Sequence, residues 1–264
     1  MADPLEFSGK VVVVTGGTRG VGRGIAETFL AAGADVLVCS RSEPESLPAV
    51  AAREAVFVRA DLREPADAER VMGEAVGHLG RIDVLVNNAG GSPPADAASA
   101  SPRFSEAIVK LNLLAPLHCA RAANAFMQGQ EEGGVILNIG SVSGMRPSPG
   151  TAAYGAAKAG LLNLTQTLAI EWAPKVRVNM VTAGPVLTEQ SALHYGDEAG
   201  VAAVGGTIPL GRLAEPADVG NACLFLASPL AEYVSGANLL LHGGGERPAF
   251  LGAVDDASGS DQSA

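Results

Sequence analysis

Short apolar runs and longer helical stretches alternate along this chain almost from end to end. Lys10–Thr15 (KVVVVT), Asp35–Ser40 (DVLVCS) and Ala55–Arg59 are rich in β-branched residues and end in glycine, serine or charge, which predicts buried strands. Asp83–Val86, Val135–Ile139, Val176–Val181 and Asn238–Leu241 continue the series to seven strands. Between them the composition predicts helices over Arg23–Ala32, closed by Gly33, over a run from Pro65 to about Leu79, and over Ser101–Met127. Thr151–Trp172 and Pro216–Ala227, the latter with proline at its first position, complete the set. Ser42–Arg53 is short for a crossover helix and carries Pro44 and Pro48, so part of it reads as loop. Continuous strand–helix alternation means an α/β fold: one domain over residues 8–247, with a doubly wound, parallel, seven-stranded sheet and helices on both faces. The segment 248–264 is Ser/Asp/Gly-rich from Asp255 and is expected to be a mobile tail.

Three stretches depart from a plain alternation. Asn112 and Pro116 sit inside the long helix, where asparagine is a poor helix former and proline leaves a carbonyl without its donor, which marks a kink. Thr188–Leu213 is a long Ala/Gly-rich connection, a length that suggests a substrate lid. The 151–172 helix is apolar nearly all round, so it should bury one side on the sheet and the other on a second subunit. A homotetramer or homodimer through the helices at 101–127 and 151–172 is the expected assembly.

Composition narrows the function classes. The chain has 264 residues, 47% hydrophobic, and 33 glycines, enough for a sizeable core with many turns. A net charge of −10 without any basic block excludes nucleic acid and anionic membrane surfaces as expected partners. No apolar run is long enough to span a membrane, and the first ten residues lack the basic and apolar regions of a signal peptide. Cys39, Cys119 and Cys223 are scattered in apolar settings, as reduced core thiols of a cytoplasmic protein would be. They form no metal-ligand spacing, and no metal is expected.

The candidate chemistry lies at strand ends. The first strand breaks into Gly16, Gly17, Thr18, Arg19, Gly20, Val21 and Gly22 and then into a helix. Glycines permit a sharp turn and close approach to a pyrophosphate, and the helix N-terminus supplies free N–H groups, so this opening reads as a Rossmann-like dinucleotide-binding unit. Arg41 follows the second strand, where an acidic residue would hydrogen-bond a ribose 2′-hydroxyl and an arginine suits a 2′-phosphate. With Arg19 as a second cation, NADP(H) is favoured and NAD(H) is the alternative. Asp61, beside Leu62 at the end of strand three, could meet the adenine amino group or cap the next helix. Tyr154 and Lys158 stand four apart on a helix, hence on one face, just after Ser141 ends strand five.

These residues resemble the one-domain short-chain dehydrogenase/reductase family, which includes the 3-oxoacyl-acyl-carrier-protein reductases and other ketone/alcohol oxidoreductases. The resemblance covers residues 8–245 and rests on TGGTRGVG (Thr15–Gly22), NNAG (Asn87–Gly90), the mid-helix Asn112, IGS (Ile139–Ser141), YGAAK (Tyr154–Lys158) and AGPVLT (Ala183–Thr188). It implies a catalytic tetrad of Asn112, Ser141, Tyr154 and Lys158. It also implies cofactor contacts from Thr15 and the glycine turn, from Asn88, Ala89 and Gly90, and from Gly184, Val186 and Thr188, the last two at the nicotinamide carboxamide. The implied activity is NAD(P)(H)-dependent interconversion of a ketone and a secondary alcohol, with Tyr154 as general acid/base. One ammonium about 5 Å from the phenol, at an effective dielectric of about 20, favours the phenolate by roughly 3 kcal/mol, so Lys158 is expected to acidify Tyr154.

The substrate pocket is expected among residues 91–97, Val142, Ser143, Met145 and the 185–213 loop, for a largely uncharged carbonyl compound. Arg146 and Arg212 open the alternative of an anionic, acyl-CoA-like or carrier-protein arm. Rival readings are an NAD-linked alcohol dehydrogenase, or a catalytically idle dinucleotide-binding scaffold, whose mark would be a broken tetrad. Epimerases and dehydratases of related type carry a longer C-terminal substrate domain, and enoyl reduction goes with a different tyrosine–lysine spacing.

Overall fold

The β-branched runs form the centre of a seven-stranded parallel sheet in the computed structural model, which describes residues 3–191 and 195–246. In chain order the strands are β1 Val11–Thr15, β2 Asp35–Ser40, β3 Val56–Arg59, β4 Val84–Asn87, β5 Gly134–Ser141, β6 Val176–Ala183 and β7 Asn238–Leu241. Their spatial order is β3-β2-β1-β4-β5-β6-β7. The chain winds outward from β1 to one edge, returns, and winds to the other, so the order reverses between β1 and β4. That reversal opens a crevice at the carboxyl ends of the strands, the usual ligand position in such sheets. The expected tail lies outside the described residues.

Helices cover both faces. On one side α1 (Gly20–Ala31) and the helix Pro216–Ala227 pack Ile25, Phe29, Val219 and Cys223 against Val12, Val14 and Val36. On the other, α2 (Pro65–Leu79) packs with the helices Ala115–Met127 and Ala152–Glu171, burying Val71, Met72, Cys119 and Leu168 on Val13, Leu37, Leu85 and Ile136. The seven strands and two-faced cover agree with the reading from sequence.

Three local readings need correction. Ser42–Arg53 forms no helix; Ala49–Val50 and Arg53–Glu54 pair as a small antiparallel hairpin. The expected 101–127 helix is α3 (Pro102–Val109), a π-helical turn at Lys110–Leu114, and α4 (Ala115–Met127). Pro116 has no N–H for the Asn112 carbonyl, and the wider turn absorbs the mismatch. The Ala152–Glu171 helix is α5. The 188–213 connection contains a helix, α6 (Glu198–Thr207), and its base is pinned because Val186 pairs with Ala214 and Leu187 N–H donates to Ala214 O at 2.8 Å. The Pro216–Ala227 helix is α7.

Candidate active site

The carboxyl ends of the strands surround one cleft of about 450 Å³. At its β1 end the glycine turn leads into α1, whose first turn has no acidic residue and whose N-cap, Arg19, makes no side-chain cap. The helix therefore presents free N–H groups to the cleft. Close packing dictates the glycine at 22: a Cβ there would stand 2.3 Å from Gly16 O and 2.4 Å from Asn88 Nδ2.

Seventeen of the eighteen residues expected at the cofactor line this cleft, Thr15 being the exception, and Thr15, Asn88 and Asp61 each bond within the chain. Thr15 is buried beneath the wall: its Oγ1 accepts the N–H groups of Asn88 (2.9 Å) and Ala89 (3.0 Å), tying β1 to β4. Asn88 lines the cleft, yet its amide donates to Thr15 O (2.9 Å) and Gly16 O (3.3 Å), so it holds the glycine turn in shape. Asp61 neither caps α2 nor offers a free carboxylate. It receives Arg63 Nε at 2.8 Å and pairs with that guanidinium, which holds the Asp61 carboxyl below its usual range. Asp67, in the first turn of α2, accepts the Asp61 N–H instead. Thr18, Arg19, Gly20, Val21 and Arg41 line the cleft, as do Leu62, Ala89 and Gly90 and, on the far side, Gly184, Val186 and Thr188.

At the other end β5 delivers Ser141, and α5 delivers Tyr154 and Lys158 to the same wall. The Ser141 side chain hydrogen-bonds the Tyr154 phenol and also accepts the Ser143 N–H at 3.2 Å. Lys158 is 4% exposed, donates to Ile139 O at 2.8 Å, and lies 5.7 Å from the centre of the Tyr154 ring. Burial lowers its pKa from 10.5 to about 8. Burial also raises the Tyr154 pKa, with the Ser141 hydrogen bond opposing it. The chain alone thus moves the phenol in the direction opposite to the expected acidification. Desolvation is the largest influence on the phenol.

Asn112 does not reach the cleft wall. It is fully buried, with Oδ1 accepting Gly91 N–H at 2.8 Å and Nδ2 donating to Gly91 O at 3.0 Å and to Ile108 O at 2.9 Å. It fixes the backbone after NNAG and stands behind Gly90, where a Cβ would meet Asn112 Oδ1 at 2.6 Å and Lys158 Nζ at 3.4 Å. Leu111 and Arg63 line the cleft although the sequence reading did not single them out, and Glu189 and Tyr195 come to it from the 185–213 loop expected at the substrate pocket. Arg63, two residues beyond Asp61 at a strand end, carried a legible signal.

The two arginines considered as anion recruiters are both engaged. Arg146 pairs with Glu246, and Arg212 Nη1 lies 2.7 Å from Asp218 Oδ2. All three thiols are buried, and burial pushes Cys39 up to about 12, so none is a nucleophile. Among the described residues no group of three or more His, Cys, Asp or Glu side chains could hold a metal, and no helix is long and apolar enough to cross a membrane.

Comparison with known proteins agrees with this architecture. A family model described as "Enoyl-(Acyl carrier protein) reductase" matches residues 16–246. An uncharacterized oxidoreductase of Mycobacterium tuberculosis is 37% identical over 92% of this chain and 94% of its own length. The L-fucose dehydrogenase of Oryctolagus cuniculus is 35% identical over 93% of this chain and 88% of its own. The ligand-free structure of an aldohexose dehydrogenase from Thermoplasma acidophilum superposes with a TM-score of 0.82 at 29% identity, covering 91% of this chain and 94% of that one.

Proposed function

Because the chain belongs to the short-chain dehydrogenase/reductase family, whose members act on CH–OH or carbonyl groups with NAD(P)(H), we propose that it reduces a small-molecule ketone to its secondary alcohol with NADPH, Tyr154 supplying the proton. One observation carries the reading: Tyr154, Ser141 and Lys158 converge on the wall of the cleft whose other end is the glycine turn and α1 N-terminus.

The residues present fit a dinucleotide. The α1 N–H groups and the close-packed glycines suit a pyrophosphate. Arg19 and Arg41 suit a 2′-phosphate: among the described residues neither has a carboxylate partner, whereas Arg23, Arg53, Arg63 and Arg70 each do. Asp61 also feels Arg41, but it is taken up by Arg63. The nicotinamide, when bound, supplies or accepts the hydride. Burial favours the protonated Tyr154 at neutral pH, the form that donates to a carbonyl oxygen, which supports the reductive direction. Ser141 orients the substrate oxygen beside the phenol. Lys158, with one N–H on Ile139 O, keeps further donors for the ribose hydroxyls. Val186 and Thr188 take the carboxamide, and Asn112 holds the Gly91 backbone in register.

In Tyr154→Phe, ketone reduction should fall by about 10²–10⁴-fold with the NADPH dissociation constant within twofold of the parent. Near-native turnover in that variant overturns the assignment. An NAD-linked alcohol dehydrogenase remains the second reading, decided by titrating both cofactors. We expect a cytoplasmic homotetramer or homodimer. Ile170 on α5 and Phe126 on α4 are apolar and exposed (81% and 39%), which supports helix-mediated assembly, and light scattering measures it.

A further inference from the structure

We propose that Arg63 sets the cofactor preference through Asp61: by holding that carboxylate it keeps Arg41 free for a 2′-phosphate. This deepens the NADPH reading above and rests on it. Among the described residues the cleft is lined by four cationic side chains, Arg19, Arg41, Arg63 and Lys158, and by two acidic ones, Asp61 and Glu189. Lys158 belongs to the Tyr154 end, where it donates to Ile139 O, and Arg19 is the N-cap of α1. Glu189 lies over the first turn of α1. That leaves Arg41, Asp61 and Arg63 as the charged groups at the ends of β2 and β3.

The sheet brings these three side chains to one corner. β2 and β3 are parallel neighbours in which Ser40 pairs with Arg59, and Ala60 N–H donates to Ser40 O at 2.9 Å. Arg41 and Asp61 therefore leave adjoining strand ends, and Arg59 Nε donates to Arg41 O at 2.9 Å, which pins the Arg41 backbone there. An aspartate one strand from an arginine is its natural ion-pair partner. Here the aspartate is drawn elsewhere. Both Asp61 oxygens accept Arg63 Nε, at 2.8 and 3.1 Å, Arg63 Nη2 also donates to Oδ2, and Oδ1 accepts the Arg63 N–H at 3.2 Å. The neighbouring acid is matched as well. Asp67 accepts the Asp61 N–H at 2.7 Å and pairs with Arg70 at 2.9 Å, whose Nη2 bonds Arg59 O at 2.6 Å. Glu64, exposed at the N-cap of α2, adds its field to Arg63. Arg41 is thus the cation left unmatched at this corner, although Asp61 feels its charge. A phosphate arriving at Arg41 meets a neutralised Asp61–Arg63 pair in place of a bare carboxylate. With the Arg63 guanidinium removed, Asp61 would compete for Arg41 and repel the phosphate, whereas a ribose 2′-hydroxyl meets neither penalty.

Fluorescence titration of the full chain with NADPH and NADH gives both dissociation constants. Their ratio cancels any change in adenine or pyrophosphate binding that the two cofactors share. Arg63→Gln should lower the preference for NADPH about three- to tenfold, mainly by weakening NADPH, and less at high salt. Asp61→Asn added to Arg63→Gln removes the unmasked carboxylate and should restore the wild-type ratio to within about twofold. An Arg63 that itself contacted the phosphate would give the opposite result, a loss that the second substitution does not repair. An unchanged ratio in Arg63→Gln, or no recovery in the double variant, overturns this inference and leaves the NADPH reading standing. Loss of both cofactors in Arg63→Gln assigns Arg63 to the structure of the cleft and overturns it too. A wild-type chain that binds NADH as tightly as NADPH overturns the NADPH reading and this one with it.

Discussion

Replacing Lys158 by methionine should stabilise the fold at neutral pH while removing turnover. The ammonium is 4% exposed, and burial lowers its pKa from 10.5 to about 8. At about 1.4 kcal/mol for each tenfold change, that fall corresponds to about 3 kcal/mol. The sign follows from proton counting. Between pH 8 and 10.5 the unfolded chain binds the proton that the folded chain has released, so stability rises with pH across that window. Below pH 8 both states are charged and the folded state bears the whole burial cost. Methionine has similar length and no charge, so it relieves that cost at pH 7. It also leaves Ile139 O without the 2.8 Å donor, which takes back about 1–2 kcal/mol. The net gain at pH 7 is then about 1–2 kcal/mol, or a Tm rise of about 2–8 °C for a chain of this size. By pH 9.5, where only about 1 kcal/mol of the burial cost remains, the gain should be close to zero. Urea titrations of both proteins at pH 7 and pH 9.5, at one protein concentration, measure it. A variant less stable than the parent at pH 7, or a difference that does not change with pH, would refute the claim that Lys158 is held in place at the expense of the fold.

Other substitutions address separate parts of the cleft. Arg41→Asp should weaken NADPH binding at least tenfold and tighten NADH, read by fluorescence titration; equal effects on both cofactors would exclude Arg41 from the 2′-phosphate. Glu189 Oε1 lies 3.7 Å from where a Gly20 Cβ would stand, over the first turn of α1. A carboxylate there competes with a pyrophosphate, so Glu189→Gln should tighten NADPH by about two- to tenfold, less at high salt, and weaker binding would count against that placement. Asn112→Ala removes both bonds to Gly91 and should cost about 1–2 kcal/mol in urea unfolding, with kcat falling further than stability explains. An unchanged kcat would confine Asn112 to a structural role.

What the sequence made legible was local. A β-branched run followed by glycines announces a strand and a turn whoever its neighbours are, and Tyr154 and Lys158 share a face because a helix has 3.6 residues per turn. The sheet, its winding and the convergence of the strand ends followed from those local signals. The missed features all depend on partners distant in sequence or on competition for a group. Thr15 and Asn88 looked like cofactor contacts, yet they bond each other's backbone across β1 and β4, a pairing that no spacing reveals. Asp61 looked free until Arg63 claimed it, and Arg146 until Glu246 did, 100 residues further on. Tyr154 shows the same logic: proximity to an ammonium predicts a more acidic phenol, while its own burial, which only the fold supplies, raises its pKa. A charge named from sequence is therefore a candidate, and its function depends on what the folded chain leaves unpaired. By that criterion Arg19 and Arg41, both on the cleft wall, remain available to a ligand, and Arg146 and Arg212, paired with Glu246 and Asp218, do not.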